Sequence, residues 1–146
     1  MACADKWFYR LRLCLFAITM AFVSEPVVAV PAVVDYVVDG DTFGANVLID
    51  DDVSVPVRVR ILNIDTPEIH GKCKSEINKA HLAKDTLSNI LPQGTKVELD
   101  SVKDDKYLGR IDANVVLKDG RNVGNIMINR GLARSYNGGR RHGWCK

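Results

Sequence analysis

The order in which strand-like and helix-like patterns follow one another constrains the fold of this chain more than any other feature. Three strand patterns come first, at 32–40, 41–49 and 53–64. A stretch with the helical period follows, and two more strand patterns lie at 95–100 and 110–120. Five strands with one helix between the third and the fourth give the element order of an OB-fold β-barrel. The sequence therefore predicts a mainly β domain with helices, in the α+β class.

The third strand pattern alternates over its whole length. Val55, Val57, Val59 and Ile61 fall on one face, and Arg58, Arg60, Leu62 and Ile64 fall on the other. Side chains alternate between the two faces of a strand, so the valines are predicted to face the core. The opposite face would then present two arginines at neighbouring positions of the barrel wall.

Both helical patterns have recognisable ends. The first is predicted from about Ser75 to Asn89, with Ser75 as the N-cap. Its apolar face consists of Ile77, Ala80, Ala83, Leu87 and Ile90. A second, short helix is predicted after the fifth strand, with Asn122 as its cap and Gly131 as its end.

The first thirty residues have the pattern of an export signal. Lys6, Arg10 and Arg12 precede an apolar run at 13–23, and small residues follow it. Eleven apolar residues are few for a bilayer span, so we expect cleavage in preference to a permanent anchor. The expected division is a signal at 1–32 and a domain at 33–146, exported to the periplasm or the medium. An uncleaved signal would anchor the domain, which itself should not insert stably into a membrane.

Two cysteines, Cys73 and Cys145, lie beyond the predicted signal. An even pair in an oxidising compartment predicts one disulfide. The alternative is a zinc site, because His70 and His142 each lie three residues before one of these cysteines. Export favours the disulfide.

The net charge gives little information about binding partners, but the charged residues are distributed unevenly along the sequence. The formal net charge is +2, too small by itself to indicate a nucleic-acid-binding protein. Beyond Asp119 the sequence has no acidic residue and six basic ones. The simplest interpretation of that basic end is a solvated surface.

Three segments resemble signatures of the staphylococcal nuclease, or thermonuclease, family. They are DGDTF at 39–43, RILNIDTPE at 60–68 and DKYLGR at 105–110, and they occur in the family's order. The resemblance extends from about Val33 to Tyr136. It implies a Ca²⁺-dependent nuclease, either an endonuclease or an exonuclease, that hydrolyses DNA and RNA with little sequence preference and leaves 3′-phosphate ends. The domain is expected to act as a monomer.

The resemblance also implies roles for two acidic segments. Asp41, Asp65 and the backbone carbonyl of Thr66 would be the protein ligands of Ca²⁺. This ion takes six to eight oxygen ligands, so water and a substrate phosphate would complete its coordination. Glu68 corresponds to the family's general base, which would act on the attacking water. Pro67 would fix the backbone between the metal ligand and the base.

The basic and aromatic positions would contact the substrate. By the same resemblance, Arg60 and Arg110 bind the reacting phosphate, for which a planar guanidinium is well suited. Lys106 and Tyr107 would contact a terminal phosphate, and Tyr136 would flank the base pocket, where stacking tolerates any base.

The sequence departs from the family in two places. The segment between Tyr107 and Arg110 is one residue longer, and the tail NGGRRHGWCK stands where the family has a third helix. A bond between Cys73 and Cys145 would hold that tail next to Glu68. Two other functions remain open: a nucleic-acid-binding OB module without catalysis, and a structural envelope domain whose acids and arginines form ion pairs. A salt-dependent affinity for DNA would exclude the second.

Overall fold

A computed structural model of the protein describes residues 28–145. The positive and apolar parts of the predicted export signal therefore lie outside the described residues. The signal's expected end at residue 32 falls inside the first strand, which begins at Val30. Among the described residues, no helix is both long enough and apolar enough to cross a membrane.

Five strands close into a barrel. In chain order the elements are β1 (Val30–Val37), β2 (Thr42–Asp50), β3 (Val53–Ile61), β4 (Ile64–Asp65), α1 (Lys74–Ile90), β5 (Lys96–Asp104), β6 (Arg110–Leu117), α2 (Val123–Asn129) and β7 (Arg134–Ser135). The barrel order is β1-β2-β3-β6-β5, and β5 pairs back with β1. β3 and β6 run parallel, while the other barrel pairs are antiparallel. The predicted OB-fold barrel of the α+β class is confirmed.

Alternation along the strands fills the barrel interior. Phe43, Val59, Leu99 and Val115 come from four different strands, and each is fully buried. Burying a side chain of this size stabilises the fold by about 1.5–3 kcal/mol. Leu87 of α1 joins the same core, so the helix covers the barrel. The predicted apolar face of the helix is correct at its centre, where Ala80, Ala83 and Leu87 are buried.

The third strand is shorter than its alternating pattern predicts. It ends at Ile61, and Asn63 adopts the left-handed conformation with φ 61°. This residue turns the chain, so Ile64 begins the separate strand β4, is buried, and pairs with β7. The prediction that Ile64 shares a face with Arg58 and Arg60 is therefore wrong. Asparagine tolerates this backbone conformation better than most residues do. The alternation of apolar residues gives no sign of it, which is why the strand was predicted to continue.

The first helix begins one residue earlier than predicted, and its N-cap is Cys73 instead of Ser75. The carboxylate of Glu76 accepts a hydrogen bond from the Lys72 backbone N–H at 3.0 Å, which satisfies a donor just ahead of the helix. In α2 the predicted cap is confirmed, because the Asn122 side chain accepts a hydrogen bond from the Asn125 N–H.

Helix α1 packs directly on the turn between β1 and β2. A Cβ atom at Gly40 would lie 2.8 Å from the Ala83 Cβ and 3.1 Å from the side chain of Thr66. Only glycine therefore fits between the helix and the segment that follows β4. This close packing brings the acidic turn at 39–41 against residues 65–68.

Candidate active site

Charged side chains surround a cavity of about 910 Å³ beside the barrel. Its lining includes Asp41, Arg60, Thr66, Glu68, Lys106, Tyr107, Arg110 and Tyr136, all of which the sequence suggested. Asp65 is the exception: it is buried, is 4% exposed and does not line the cavity. Three segments far apart in the chain thus meet at one place, with Asp65 just beneath the surface.

The turn before β2 fixes the carboxylate of Asp41. Asp39 Oδ1 accepts a hydrogen bond from the Asp41 backbone N–H at 3.0 Å, which shapes the turn. The Asp41 carboxylate accepts hydrogen bonds from Thr42 Oγ1 at 2.9 Å and from Thr66 Oγ1 at 3.0 Å. Arg60 Nη2 lies 3.4 Å from Asp41 Oδ2. Two hydroxyls and one guanidinium therefore hold this buried acid in place.

The two oxygens of Asp65 have different surroundings. Oδ2 accepts a hydrogen bond from the indole Nε1–H of Trp144 at 3.1 Å. Oδ1 is buried and, within residues 28–145, has no hydrogen-bond partner, although Arg141 Nε lies 3.2 Å away as an ion pair. A buried carboxylate oxygen without a hydrogen bond is uncommon and calls for another partner.

Arg141 connects Asp65 with Glu68. Its Nη1 forms an ion pair with Glu68 Oε1, while its Nε faces Asp65. The Glu68 side chain is 60% exposed and that of Arg141 is 42% exposed, so solvent reaches this contact. The guanidinium lies 5.7 Å from the centre of the Tyr136 ring. Arg141 thus occupies the space between the expected metal ligand and the expected base.

The longer loop before β6 leaves Arg110 in the cavity. Leu108, at the tip, is fully exposed, and Gly109 has φ +76°, so the extra length extends into solvent. Arg110 Nε pairs with Asp105, and its guanidinium lies 4.4 Å from the centre of the Tyr107 ring. The added residue therefore changes the shape of the loop tip and does not remove Arg110 from the site.

The remaining contact residues lie near the opening of the cavity. Lys106 is exposed, with its ammonium 5.0 Å from the centre of the Tyr107 ring. Tyr107 itself is 54% exposed. The Tyr136 hydroxyl donates a hydrogen bond to the Gly139 carbonyl at 2.7 Å, and the ring is half-buried. Tyr136 is thus a wall residue and not part of the core.

Burial and neighbouring charges shift the pKa values of several carboxyl groups around the cavity. Burial, together with the negative charge of Asp41, raises the pKa of Asp39 to about 6. Burial and the neighbouring Asp105 raise the pKa of Asp112. The hydrogen bond from Arg110 lowers the pKa of Asp105. The site thus contains carboxyl groups of different acidity within a few residues of one another.

The two cysteines beyond the predicted signal form a disulfide, with 5.9 Å between their Cα atoms. Among the described residues, one group of three possible metal ligands lies close together: Cys73, Glu76 and Cys145. Its sulfurs are bonded to each other, and it includes neither His70 nor His142. The structure therefore agrees with the disulfide and not with the zinc alternative.

Two residues of the site, Trp144 and Arg141, were not anticipated from the sequence. The basic end was expected to be a solvated surface; Arg141 is exposed, and in addition it pairs with Asp65 and Glu68 at the cavity. Two consecutive glycines, Gly138 and Gly139, with φ +93° and +91°, turn the tail back toward the cavity. The Gly-Gly pair and the cysteine next to the tryptophan are the signals that could have indicated a folded tail.

Comparison with known proteins relates most of this domain to one family. The model of the family described as staphylococcal nuclease homologue matches residues 58–143. Endonuclease YhcR of Bacillus subtilis (strain 168) is 32% identical over 111 residues, which cover 71% of this chain and 9% of that protein. This chain thus spans only a small part of that relative's length. The family match begins after Asp41 and ends just before Trp144.

Proposed function

The chain belongs to the staphylococcal nuclease homologue family, and from this premise we propose that its cavity hydrolyses phosphodiester bonds of DNA and RNA. The observation that carries the proposal is the meeting of buried carboxylates with arginines at one charged cavity. Asp41 and Asp65 are buried, while Arg60 and Arg110 line the same cavity. We further propose a Ca²⁺-dependent endonuclease with little sequence specificity that leaves 3′-phosphate ends.

The oxygen atoms at the site suit a hard divalent cation. Asp41, Asp65 and the carbonyl of Thr66 would hold Ca²⁺, which prefers oxygen ligands. The buried Oδ1 of Asp65, without a hydrogen bond among the described residues, supports this assignment. So does the hydrogen bond that ties Thr66 to Asp41. When bound, the ion would act as a Lewis acid and align the phosphate.

The arginines would bind the phosphate and stabilise its developing charge. Arg60 lies beside Asp41, and Arg110 lies above the Tyr107 ring. A guanidinium can make two parallel hydrogen bonds to phosphate oxygens, which fixes orientation as well as charge. Preorganised donors of this kind are worth most where negative charge increases in the transition state. Both arginines now pair with acids, so substrate must compete for them.

Glu68 would take the proton of the attacking water. Its side chain faces the cavity and is 60% exposed, so water reaches it freely. It follows Asp65 by three residues, with Pro67 between them restricting the backbone. The base and the metal ligand therefore move together.

The rest of the cavity favours contact with the nucleic-acid backbone. Arg58, Lys103 and Lys106 line it beside the site, and positive side chains contact phosphates whatever the sequence. Tyr136 offers a ring on which any base can stack. These contacts support low sequence specificity.

Replacing Glu68 by glutamine tests the proposal. Turnover on plasmid DNA and on RNA should fall at least about a hundredfold, the usual contribution of a general base. DNA affinity at fixed salt and Ca²⁺ should change little. Glu98→Gln is the matched control, because Glu98 is an exposed glutamate of β5 and its replacement alters net charge equally.

Wild-type behaviour decides between the enzyme and its alternatives. Cleavage should require Ca²⁺ and stop on chelation, while Mg²⁺ should serve poorly because it demands octahedral geometry and loses water reluctantly. A wild-type protein that binds DNA yet leaves it intact across Ca²⁺ concentrations and alkaline pH would be a binding module without catalysis. If Glu68→Gln cleaves as fast as wild type, the role given to Glu68 is wrong.

We also propose that the protein is exported, on the basis of the positive and apolar pattern before residue 28. Cell fractionation with N-terminal sequencing tests this. A protein that stays in the cytoplasm with residues 1–27 attached would contradict it.

A further inference from the structure

The indole of Trp144 is buried against the carboxylate of Asp65. Trp144 is 8% exposed, and its Nε1–H donates to Asp65 Oδ2 at 3.1 Å in a buried hydrogen bond. The two residues are 79 positions apart in the sequence. A tryptophan N–H can only donate, so this contact binds one specific oxygen of the acid.

Several neighbouring groups hold the indole in place. The guanidinium of Arg134 lies 3.6 Å from the ring centre, and its Nη1 donates to the Gly143 carbonyl at 3.2 Å. The ammonium of Lys79 on α1 lies 4.7 Å from the ring centre. The next residue, Cys145, is bonded to Cys73 just before α1. Together these contacts fix the orientation of the indole against Asp65.

The hydrogen bond from Trp144 gives the two Asp65 oxygens different surroundings. Oδ2 accepts the hydrogen bond of the indole, while Oδ1 is buried without a hydrogen bond among residues 28–145 and has Arg141 Nε 3.2 Å away as an ionic partner that a cation would replace. Groups that hydrogen-bond a metal-ligating side chain set its orientation, and their loss typically weakens metal binding 10- to 100-fold. We propose that Trp144 is a positioning residue that presents Asp65 Oδ1 to the divalent cation, and that the disulfide-anchored tail is part of the active site.

This inference rests on the proposed function, because it assumes that Asp65 binds a cation. It goes beyond the family relationship, since the family match ends at residue 143 and includes neither Trp144 nor Cys145. Packing alone would predict that the ring matters and the N–H does not. An experiment that removes the N–H and keeps the ring therefore separates the two explanations.

The test is calorimetric titration of the full protein with CaCl₂, in the absence of nucleic acid. Trp144→Phe keeps an aromatic ring beneath Arg134 and removes the donor. A second variant carries 3-benzothienylalanine at position 144, in which sulfur replaces the N–H while the shape stays nearly the same. Tyr36→Phe is the control, because it removes a polar group from a half-exposed ring that lies against Gly44. Melting temperatures in EDTA report folding of each variant without the ion.

Both variants at position 144 should bind Ca²⁺ about 10- to 100-fold more weakly than wild type, and Tyr36→Phe should match wild type. If Trp144→Phe does not fold, the benzothienyl variant decides. Wild-type affinity in a folded benzothienyl variant would overturn the inference and leave the proposed nuclease intact. A wild-type protein that binds no Ca²⁺, and cleaves nucleic acid equally well in EDTA, would overturn both.

Discussion

Replacement of Arg141 by glutamine should strengthen binding of the divalent cation. The Arg141 guanidinium lies between Asp65 and Glu68, with its Nε 3.2 Å from Asp65 Oδ1. A cation that binds Asp65 Oδ1 must displace this positive group. Arg141 is therefore expected to compete with the ion, and removing its charge should remove that competition.

The size of the effect follows from distance and exposure. Two unit charges 3.2 Å apart attract by about 5 kcal/mol at an effective dielectric constant near 20. Solvent screens much of this, because the Arg141 side chain is 42% exposed and regains water when displaced. The contact with exposed Glu68 adds at most about 1 kcal/mol. A net competition of about 1–2 kcal/mol remains, which corresponds to a 5- to 30-fold decrease in the Kd for Ca²⁺.

Calorimetric titration of Ca²⁺ at 0.1 M salt measures this directly, without substrate. Arg140→Gln is the matched control, because it makes the same change of charge at the neighbouring, exposed position. The difference between the two variants should shrink at 1 M salt, where exposed charges are screened over about 3 Å.

Equal Ca²⁺ affinity in Arg141→Gln and Arg140→Gln would refute the competition. Weaker binding in Arg141→Gln would show the opposite, that the guanidinium organises the carboxylates for the ion. The expected sign is also opposite to that for Trp144→Phe, so the two variants together test whether the tail has two separate effects on Asp65.

Three further outcomes follow from the same structure. Because burial raises the pKa of Asp39 to about 6, the folded state binds more protons than the unfolded state between about pH 4 and 6. The free energy of unfolding should therefore fall as pH rises through 6. In urea unfolding in EDTA, Asp39→Asn should be more stable than wild type by about 1–2 kcal/mol at pH 8 and no more stable at pH 4. Replacing both Cys73 and Cys145 by serine removes a bond between residues 72 positions apart. In the chain-entropy model this should destabilise the domain by about 4 kcal/mol, and an unchanged urea midpoint would contradict it. Arg60→Lys and Arg110→Lys should each lower turnover about a hundredfold with charge retained, and near-normal turnover in the second would show that the longer loop keeps Arg110 from the reacting phosphate.

Local patterns in the sequence were sufficient for the barrel and for much of the cavity. Alternation with a period of two is a property of each strand alone, so the five strands and the single helix between them were predictable. The Asn122 cap was predictable because its hydrogen bond joins residues only three positions apart in the sequence. The signature segments around Asp41, Arg60 and Glu68 lie on those same elements, and the fold brings them to one cavity.

Local patterns gave wrong predictions where a single residue changes the backbone conformation, or where a residue is bonded to a distant part of the chain. Asn63 turns the chain through a left-handed conformation, and Ile64 is buried in the core instead of lying on the arginine face. Cys73 takes the N-cap of α1, although Ser75 is the better intrinsic cap. Cys73 is also bonded to Cys145, 72 positions away, and a local propensity does not contain that information.

The sequence by itself determined which residues could do chemistry, because residue type and spacing along a strand or turn are local properties. Only the tertiary structure decided what surrounds them. Arg141 meets Glu68 across 73 positions, and Trp144 meets Asp65 across 79. Contacts of that span arise from closure of the barrel, two glycine turns and one disulfide acting together. Periodicity in the tail does not reveal these contacts, because the groups that hold Trp144 in place, Arg134, Lys79 and Asp65, are not adjacent to it in the sequence, and its neighbour Cys145 is fixed by a bond to the distant Cys73.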